Sequence, residues 1–284
     1  MTRYAISQPV TQVEAPRLLM GKGLYTDDVS LPRECFAVFY RSPHAHAEII
    51  NINTDVAKSM PGVIEILTGQ NYLDDGVGYV AGNSPPKRRD GSPGFRPPRP
   101  AITSDRVLHV GHIIACVIAE TINQCKDAME AIDVQFNSLP PQLDPVINNQ
   151  PDAKQFWEEC ANNEVFVAEK GDATTTEEAL AQSDLVIKDR FRVTRITANT
   201  MEPRAVVADY DAGRDHYTVY AGQQRPFVWR EMMTQNMFNI PENQMTVIAG
   251  DVGGSFGMKG GLYPEVPIVA WASRKVGRPI KWVC

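Results

Sequence analysis

The chain alternates between short apolar runs of strand length and segments whose apolar residues recur at helical spacing. CFAVFY (residues 35–40) follows Asp-Asp and Leu-Pro punctuation and predicts a buried strand, as do residues 63–67 and 113–119. Between Thr121 and Ile132, the residues Cys125, Ala128, Met129 and Ile132 fall at i, i+3, i+4 and i+7, which predicts a helix, and Val134-Gln135-Phe136 predicts the strand after it. The first half is therefore mixed α and β. It ends at the proline-rich SLPPQLDPVINNQPD (residues 138–152), which reads as a linker.

The second half opens with a polar, acidic helix candidate at 176–182, and strands are predicted at 185–193, 205–210, 217–221 and 245–249. Residues 227–238 predict a helix. A further helix begins at Tyr263-Pro264-Glu265, with Arg274-Lys275 in its last turn, Gly277 at its C-terminal end and Pro279 as its stop. Ile280-Lys281-Trp282-Val283 then alternates as a strand does, and Cys284 is the last residue. An unpaired apolar strand exposes its edge, so the expectation is that the chain is the front part of something larger.

Composition narrows the class. At 284 residues, 43% hydrophobic and 22% charged, the chain is long enough for about two domains with buried cores. No run approaches the roughly 20 apolar residues that span a bilayer. The first twenty residues lack the apolar stretch of a secretory signal, so a cytoplasmic location is expected. A net charge of −6 argues against nucleic acid as a partner. Cys35, Cys116, Cys125, Cys160 and Cys284 are scattered and never form C-x-x-C, which argues against a disulfide framework or a metal cluster held by this chain alone.

One stretch asks for a chemical explanation. DVGGSFGMKGG (residues 251–261) packs five glycines into eleven residues directly behind an apolar run. Met258 precedes Lys259 and no Ser or Thr follows it, so the P-loop pattern fails; no glycine pair at i, i+2 has a third at i+5, so the dinucleotide pattern fails too. What remains is a loop able to present backbone N–H groups to an anionic ligand, or a tight turn forced by packing.

Other candidates read two ways. His44 and His46 have a spacing that puts both rings on one face of a strand, but no third ligand is evident nearby, and a hydrogen-bonded pair fixing a turn after Ser42-Pro43 is the simpler reading. SPPKRRDGSPGFRPPRP (residues 84–100), with Lys87, Arg88, Arg89, Arg96 and Arg99, reads as an extended surface loop, or as one that docks an acidic partner or gates a neighbouring site. Gln223-Gln224-Arg225 follows a strand, where an amide can donate to an oxo or carbonyl oxygen without adding charge. Glu202 is either a base or half of a structural pair with Arg204.

DVGGSFGMKGGLYPE followed by VAWASRKVGRPIKWV resembles the glycine-loop segment of the molybdenum-binding large subunit of the xanthine dehydrogenase, aldehyde oxidase and carbon monoxide dehydrogenase family. GKGLYTDDVSLP, RSPHAHAEI, RVLHVGHIIACVIAET and MEPRAVVADYD reinforce the resemblance in family order over nearly the whole chain. It implies an α+β protein: an α/β hammerhead domain in residues 1–140, then the truncated start of a molybdopterin-binding domain in 141–284. By the resemblance, Gln223 approaches the apical oxygen of molybdenum, and Gly254, Ser255, Phe256 and Gly257 approach the metal centre and the pterin. Ser255 stands where many members have glycine, and Gly260 stands where purine-oxidising members carry a glutamate, which makes xanthine a poor substrate candidate.

The family's activity is hydroxylation with water as oxygen source, and the general-base glutamate belongs to a part beyond this chain. The implied cofactor is molybdenum–molybdopterin in its cytosine dinucleotide form. A 2Fe–2S subunit, an FAD subunit and a chain carrying the rest of the molybdopterin domain are the implied partners, and the substrate is an aldehyde or N-heterocycle. The alternative is a folded remnant or assembly module without cofactor.

Overall fold

The computed structural model describes residues 9–80, 86–88, 90–148, 150 and 152–284. Arg89 and the start of the basic loop, Asn149 and Pro151 of the linker, and residues 1–8 lie outside the described residues. The strands are β1 (Cys35–Arg41), β2 (Ala47–Asn53), β3 (Val63–Thr68), β4 (Arg106–Val107), β5 (Ile113–Ala119), β6 (Asp133–Ser138), β7 (Ala205–Asp211), β8 (His216–Ala221), β9 (Met245–Ile248) and β10 (Ile280–Val283). The α-helices are α1 (Ala15–Leu19), α2 (Asp55–Lys58), α3 (Gly69–Asp74), α4 (Ile122–Glu130), α5 (Ala173–Ala181), α6 (Pro226–Glu231) and α7 (Glu265–Val276).

Seven strands form one sheet in the order β3-β5-β1-β10-β7-β8-β9, and β4-β2-β6 form a second sheet. The large sheet thus draws strands from both sides of the linker. β5 explains why: its sequence IIACVIA is apolar at every position, and every one of these residues is buried. Alternate residues serve two cores. Ala115, Val117 and Ala119 pack with Cys125, Ala128 and Ile132, whereas Cys116 and Ile118 join Val206, Ile268 and Trp271. A strand covered on both faces has no use for polar alternation, and each fully buried Ile or Val contributes about 1.5–3 kcal/mol.

The predicted last helix is α7, buried from Glu265 through Ser273. Gly277 adopts φ 67° as its left-handed cap and donates its N–H to Ser273 O at 2.9 Å. Among the described residues, no helix is long and apolar enough to cross a membrane.

Three sequence expectations are corrected. β10 is not an exposed edge: it runs parallel to β1 and antiparallel to β7, inside the sheet. Its polar residue Lys281 is consequently buried, and its ammonium donates to Asp27 O at 2.9 Å and lies 3.3 Å from Glu34. Residues 185–193 are not a strand; they have no regular secondary structure and are exposed throughout, and among the described residues no strand takes their backbone hydrogen bonds. The helix expected at 227–238 is α6 followed by a π-helix at Met232–Phe238, where Thr234 Oγ1 donates back to Arg230 O at 2.9 Å. Sequence reading also missed β2, whose outer positions are largely exposed.

Candidate functional site

Three chain segments meet where β8 and β9 end. β8 delivers Gly222, Gln223 and Gln224 just before Pro226 opens α6. Gln223 is 3% exposed, and its Oε1 accepts a hydrogen bond from Arg225 N, while its Nε2 is buried without a partner among the described residues. A buried amide donor left unpaired costs about 1–3 kcal/mol, so such an atom in a native fold calls for an acceptor. Gln224 N donates to Lys259 O at 3.1 Å, which joins the glutamine segment to the glycine loop.

The loop's glycines divide into two kinds. Gly222 and Gly253 are tight: a Cβ on Gly253 would lie 2.4 Å from Glu202 Cβ, and one on Gly222 would lie 3.0 and 3.1 Å from the Glu202 carboxylate oxygens. Gly254 (φ 95°) and Gly257 (φ 89°) are needed for positive φ, and a Cβ on Gly257 would meet nothing within 4 Å. Phe256 shares the left-handed conformation at φ 50° although it has a side chain, and that side chain is 83% exposed. Ser255 ties the turn together by accepting from Met258 N at 2.8 Å through its carbonyl and from Lys259 N at 3.0 Å through its hydroxyl. The Ser255 hydroxyl therefore serves the loop's closure.

Two acidic residues anchor this loop. Glu202 accepts from Lys259 Nζ at 2.6 Å and from Gly253 N at 2.7 Å, and both side chains are nearly buried. Asp251 accepts from Arg17 at 2.6 and 2.7 Å and from Leu24 N at 2.7 Å. The Arg17 hydrogen bonds, helped by Leu24 N, hold the Asp251 carboxyl down at about 2. The expected Glu202–Arg204 pair does not form: Glu202 is turned to the loop, and Arg204 instead donates to Glu265 at 3.0 and 3.2 Å. Glu265 also receives Arg41 at 2.8 Å. Burial would raise its pKa, but the Arg204 hydrogen bonds and charge outweigh this and the net direction is down.

Phe256, Met258 and Tyr263 line an open groove of about 570 Å³ together with Arg195, Ile196 and Thr197. A larger cavity of about 630 Å³ shares Tyr263 with this groove and is lined in part by Arg99, His109, His112, Trp157 and Glu265. Burial, with the nearby His109 charge, lowers the pKa of His112 to about 4, so this ring is neutral at pH 7.

The remaining candidates have partners within the protein. His46 contacts Pro140 O at 2.9 Å and accepts from Arg106 at 3.0 Å; His44 N donates to Ser42 Oγ at 2.9 Å. Among the described residues, no group of three or more His, Cys, Asp and Glu side chains is placed to hold a metal ion. The described part of the basic loop docks through Phe95, whose N–H donates to Val165 O at 2.8 Å. Cys35, Cys116, Cys125 and Cys160 are buried and Cys284 is exposed; burial pushes the Cys35 thiol up to about 11 and Cys125 up to about 12, which keeps them unreactive. The Arg17–Asp251 and Arg41–Glu265 pairings escaped sequence reading, since the partners lie 234 and 224 positions apart along the chain.

The family model of the aldehyde oxidase and xanthine dehydrogenase a/b hammerhead domain matches residues 20–140, and that of the molybdopterin cofactor-binding domain matches residues 156–284. The chain is 33% identical to the carbon monoxide dehydrogenase large chain of Afipia carboxidovorans, over 96% of this chain and 34% of that protein. It is 30% identical to the nicotine 6-hydroxylase large subunit of Paenarthrobacter nicotinovorans, over 100% of this chain and 34% of that protein. The structure of quinoline 2-oxidoreductase from Pseudomonas putida 86 superposes with a TM-score of 0.85 at 28% identity, covering 97% of this chain and 34% of that one. The chain thus spans about a third of the length of these relatives. With hammerhead and molybdopterin-domain matches in sequence order and a shared fold throughout, the chain belongs to the xanthine dehydrogenase, aldehyde oxidase and carbon monoxide dehydrogenase family of molybdenum-binding large subunits.

Proposed function

We propose that the chain is a component of a molybdenum hydroxylase that oxidises an aldehyde or an N-heterocycle with water as oxygen source, together with a further polypeptide that completes the site. The observation that carries this reading is the buried, unpartnered Gln223 Nε2, on a segment hydrogen-bonded to a glycine loop whose Gly257 has open space beside it. The residues present fit a molybdenum–molybdopterin group: Gln223 supplies an uncharged donor for an oxygen ligand, and Gly254, Ser255, Phe256 and Gly257 supply backbone and an exposed aromatic face for the pterin side. When bound, that group supplies the two-electron oxidation of the substrate.

This chain's residues orient. Glu202 and Lys259 fix the loop from behind, and Asp251 fixes its entry, so that the open side keeps its shape without the group. The cofactor in its cytosine dinucleotide form, 2Fe–2S and FAD centres on partner subunits, a domain division at 140/141 and a cytoplasmic location complete the reading.

The test is metal analysis of the purified chain alone and in complex with the polypeptide that completes it. Molybdenum is expected only in the complex, and Gln223→Ala lowers both metal content and turnover there; a complex with unchanged metal and turnover after that substitution overturns the role of Gln223. A second reading, an assembly module without cofactor, draws on the exposure of Phe256 and the openness of its groove. Absence of molybdenum from every assembled complex would favour it.

A further inference from the structure

We propose that residues 185–194 are a docking strand, added to the sheet of the companion polypeptide, and that its docking closes the groove beside the glycine loop. The proposal rests on the reading above that a further polypeptide completes the site. Every residue from 171 to 199 is exposed, and Leu185, Ile187, Phe191 and Val193 keep 76%, 81%, 83% and 89% of their surface in water. Large apolar side chains in a contiguous row are costly to leave wet and mark a surface that is covered in use. Among the described residues, no backbone hydrogen bond joins 185–196 to another segment, so the main chain is also free to pair.

The sequence LVIKDRFRVT has the pattern of a strand with two different faces. In extended chain, Leu185, Ile187, Phe191 and Val193 fall on one side, and Lys188, Arg190 and Arg192 fall on the other. Asp189 interrupts the apolar side, and its carboxylate accepts from Arg190 N at 2.7 Å. A neighbouring strand would therefore place apolar residues opposite the first set and acidic ones opposite the second. A second copy of this chain is the poorer occupant, because it would set its own basic residues against Lys188, Arg190 and Arg192. The relatives supply the better one: this chain spans only 34% of the Afipia carboxidovorans and Paenarthrobacter nicotinovorans proteins, so most of their length is available as partner.

The strand is also wired to the site. Immediately after it, Arg195, Ile196 and Thr197 line the same groove as Phe256, and Thr197 Oγ1 donates to Met258 Sδ at 3.5 Å. Thr200 Oγ1 then donates to the carbonyl of Glu202, the residue that holds Lys259 and Gly253. Fixing 185–194 in a sheet fixes those lining residues against the loop.

Hydrogen exchange read by mass spectrometry tests this, with the chain alone and with the polypeptide that co-purifies with it in the molybdenum-containing complex. Amides 185–194 exchange freely in the isolated chain and at least about 100-fold more slowly in the complex. A complex with its full molybdenum in which 185–194 still exchanges freely overturns the docking strand and leaves the enzyme reading standing; failure of every complex to assemble or take up metal overturns both. The double variant Phe191→Asp/Val193→Asp weakens assembly by about tenfold or more, whereas Glu177→Gln, on the exposed helix α5 outside the strand, leaves it within about threefold. Undiminished assembly of the double variant overturns the proposal, as does protection of 185–194 in the isolated chain through self-association.

Discussion

Lys259 Nζ lies 2.6 Å from the Glu202 carboxylate, with the lysine 1% and the glutamate 9% exposed, and the same carboxylate takes the N–H of Gly253. One buried ion pair thus holds the start and the end of the glycine loop against the approach to β7. Among the described residues its charges are compensated by each other and by backbone donors, which makes its integrity matter more than its net strength. Lys259→Met alone is expected to destabilise the chain by about 3–5 kcal/mol, because it strands a buried carboxylate. Lys259→Met combined with Glu202→Leu recovers part of that loss. Urea midpoints of the two variants check the order; equal losses would mean that the pair carries no mutual compensation.

Asp251 gives the loop's entry an acid sensitivity. Its pKa is lowered from 3.8 to about 2 by the Arg17 hydrogen bonds first. A lowered carboxyl contributes stability that is fully present above 3.8 and is lost as pH falls through about 2. Arg17→Ala is expected to return the Asp251 carboxyl toward its ordinary value, read by carboxyl-carbon NMR titration. An unchanged titration would assign the shift to Leu24 N instead.

His112 works at a milder pH. Burial lowers its pKa from 6.5 to about 4, so on acidification the unfolded chain takes up a proton that the folded chain refuses. Its stabilising contribution is complete above 6.5 and fades as pH falls toward 4. Between pH 7 and pH 5 this amounts to about 2 kcal/mol, and a His112→Gln chain should lose that much less over the same interval. Denaturant titrations of both proteins at the two pH values measure the difference.

Arg204 joins two kinds of contact: two hydrogen bonds to Glu265, and its guanidinium carbon 3.9 Å from the centroid of the Tyr263 ring. A lysine keeps the charge but neither the fork nor the flat stacking surface. Arg204→Lys should cost about 1–3 kcal/mol in thermal or urea unfolding. No measurable loss would show that Arg41 alone satisfies Glu265.

Phe256 separates stability from cofactor retention. Because its side chain is 83% exposed, Phe256→Ala should leave the stability of the isolated chain within about 0.5 kcal/mol. In the complex it should lower molybdenum content. Unfolding of the isolated chain and metal analysis of the complex are the two readouts, and unchanged metal would remove Phe256 from the proposed site.

Local pattern was enough for what depends on local physics. The all-apolar β5, the helical spacing in α4 and the proline, charge and glycine signals around α7 each specify an element by itself, and the family motifs single out Gln223 and the glycine loop. Tertiary structure decided what depends on neighbours. Residues 280–283 read as an edge strand, yet β1 and β7 flank them; residues 185–193 read as a strand, yet they have no strand to pair with. Glu202 chose Lys259 over the arginine two positions away, and Arg17 found Asp251 across the chain. A strand's composition states that it can pair and a charge states that it needs a partner; which partner depends on distances that only the folded chain sets.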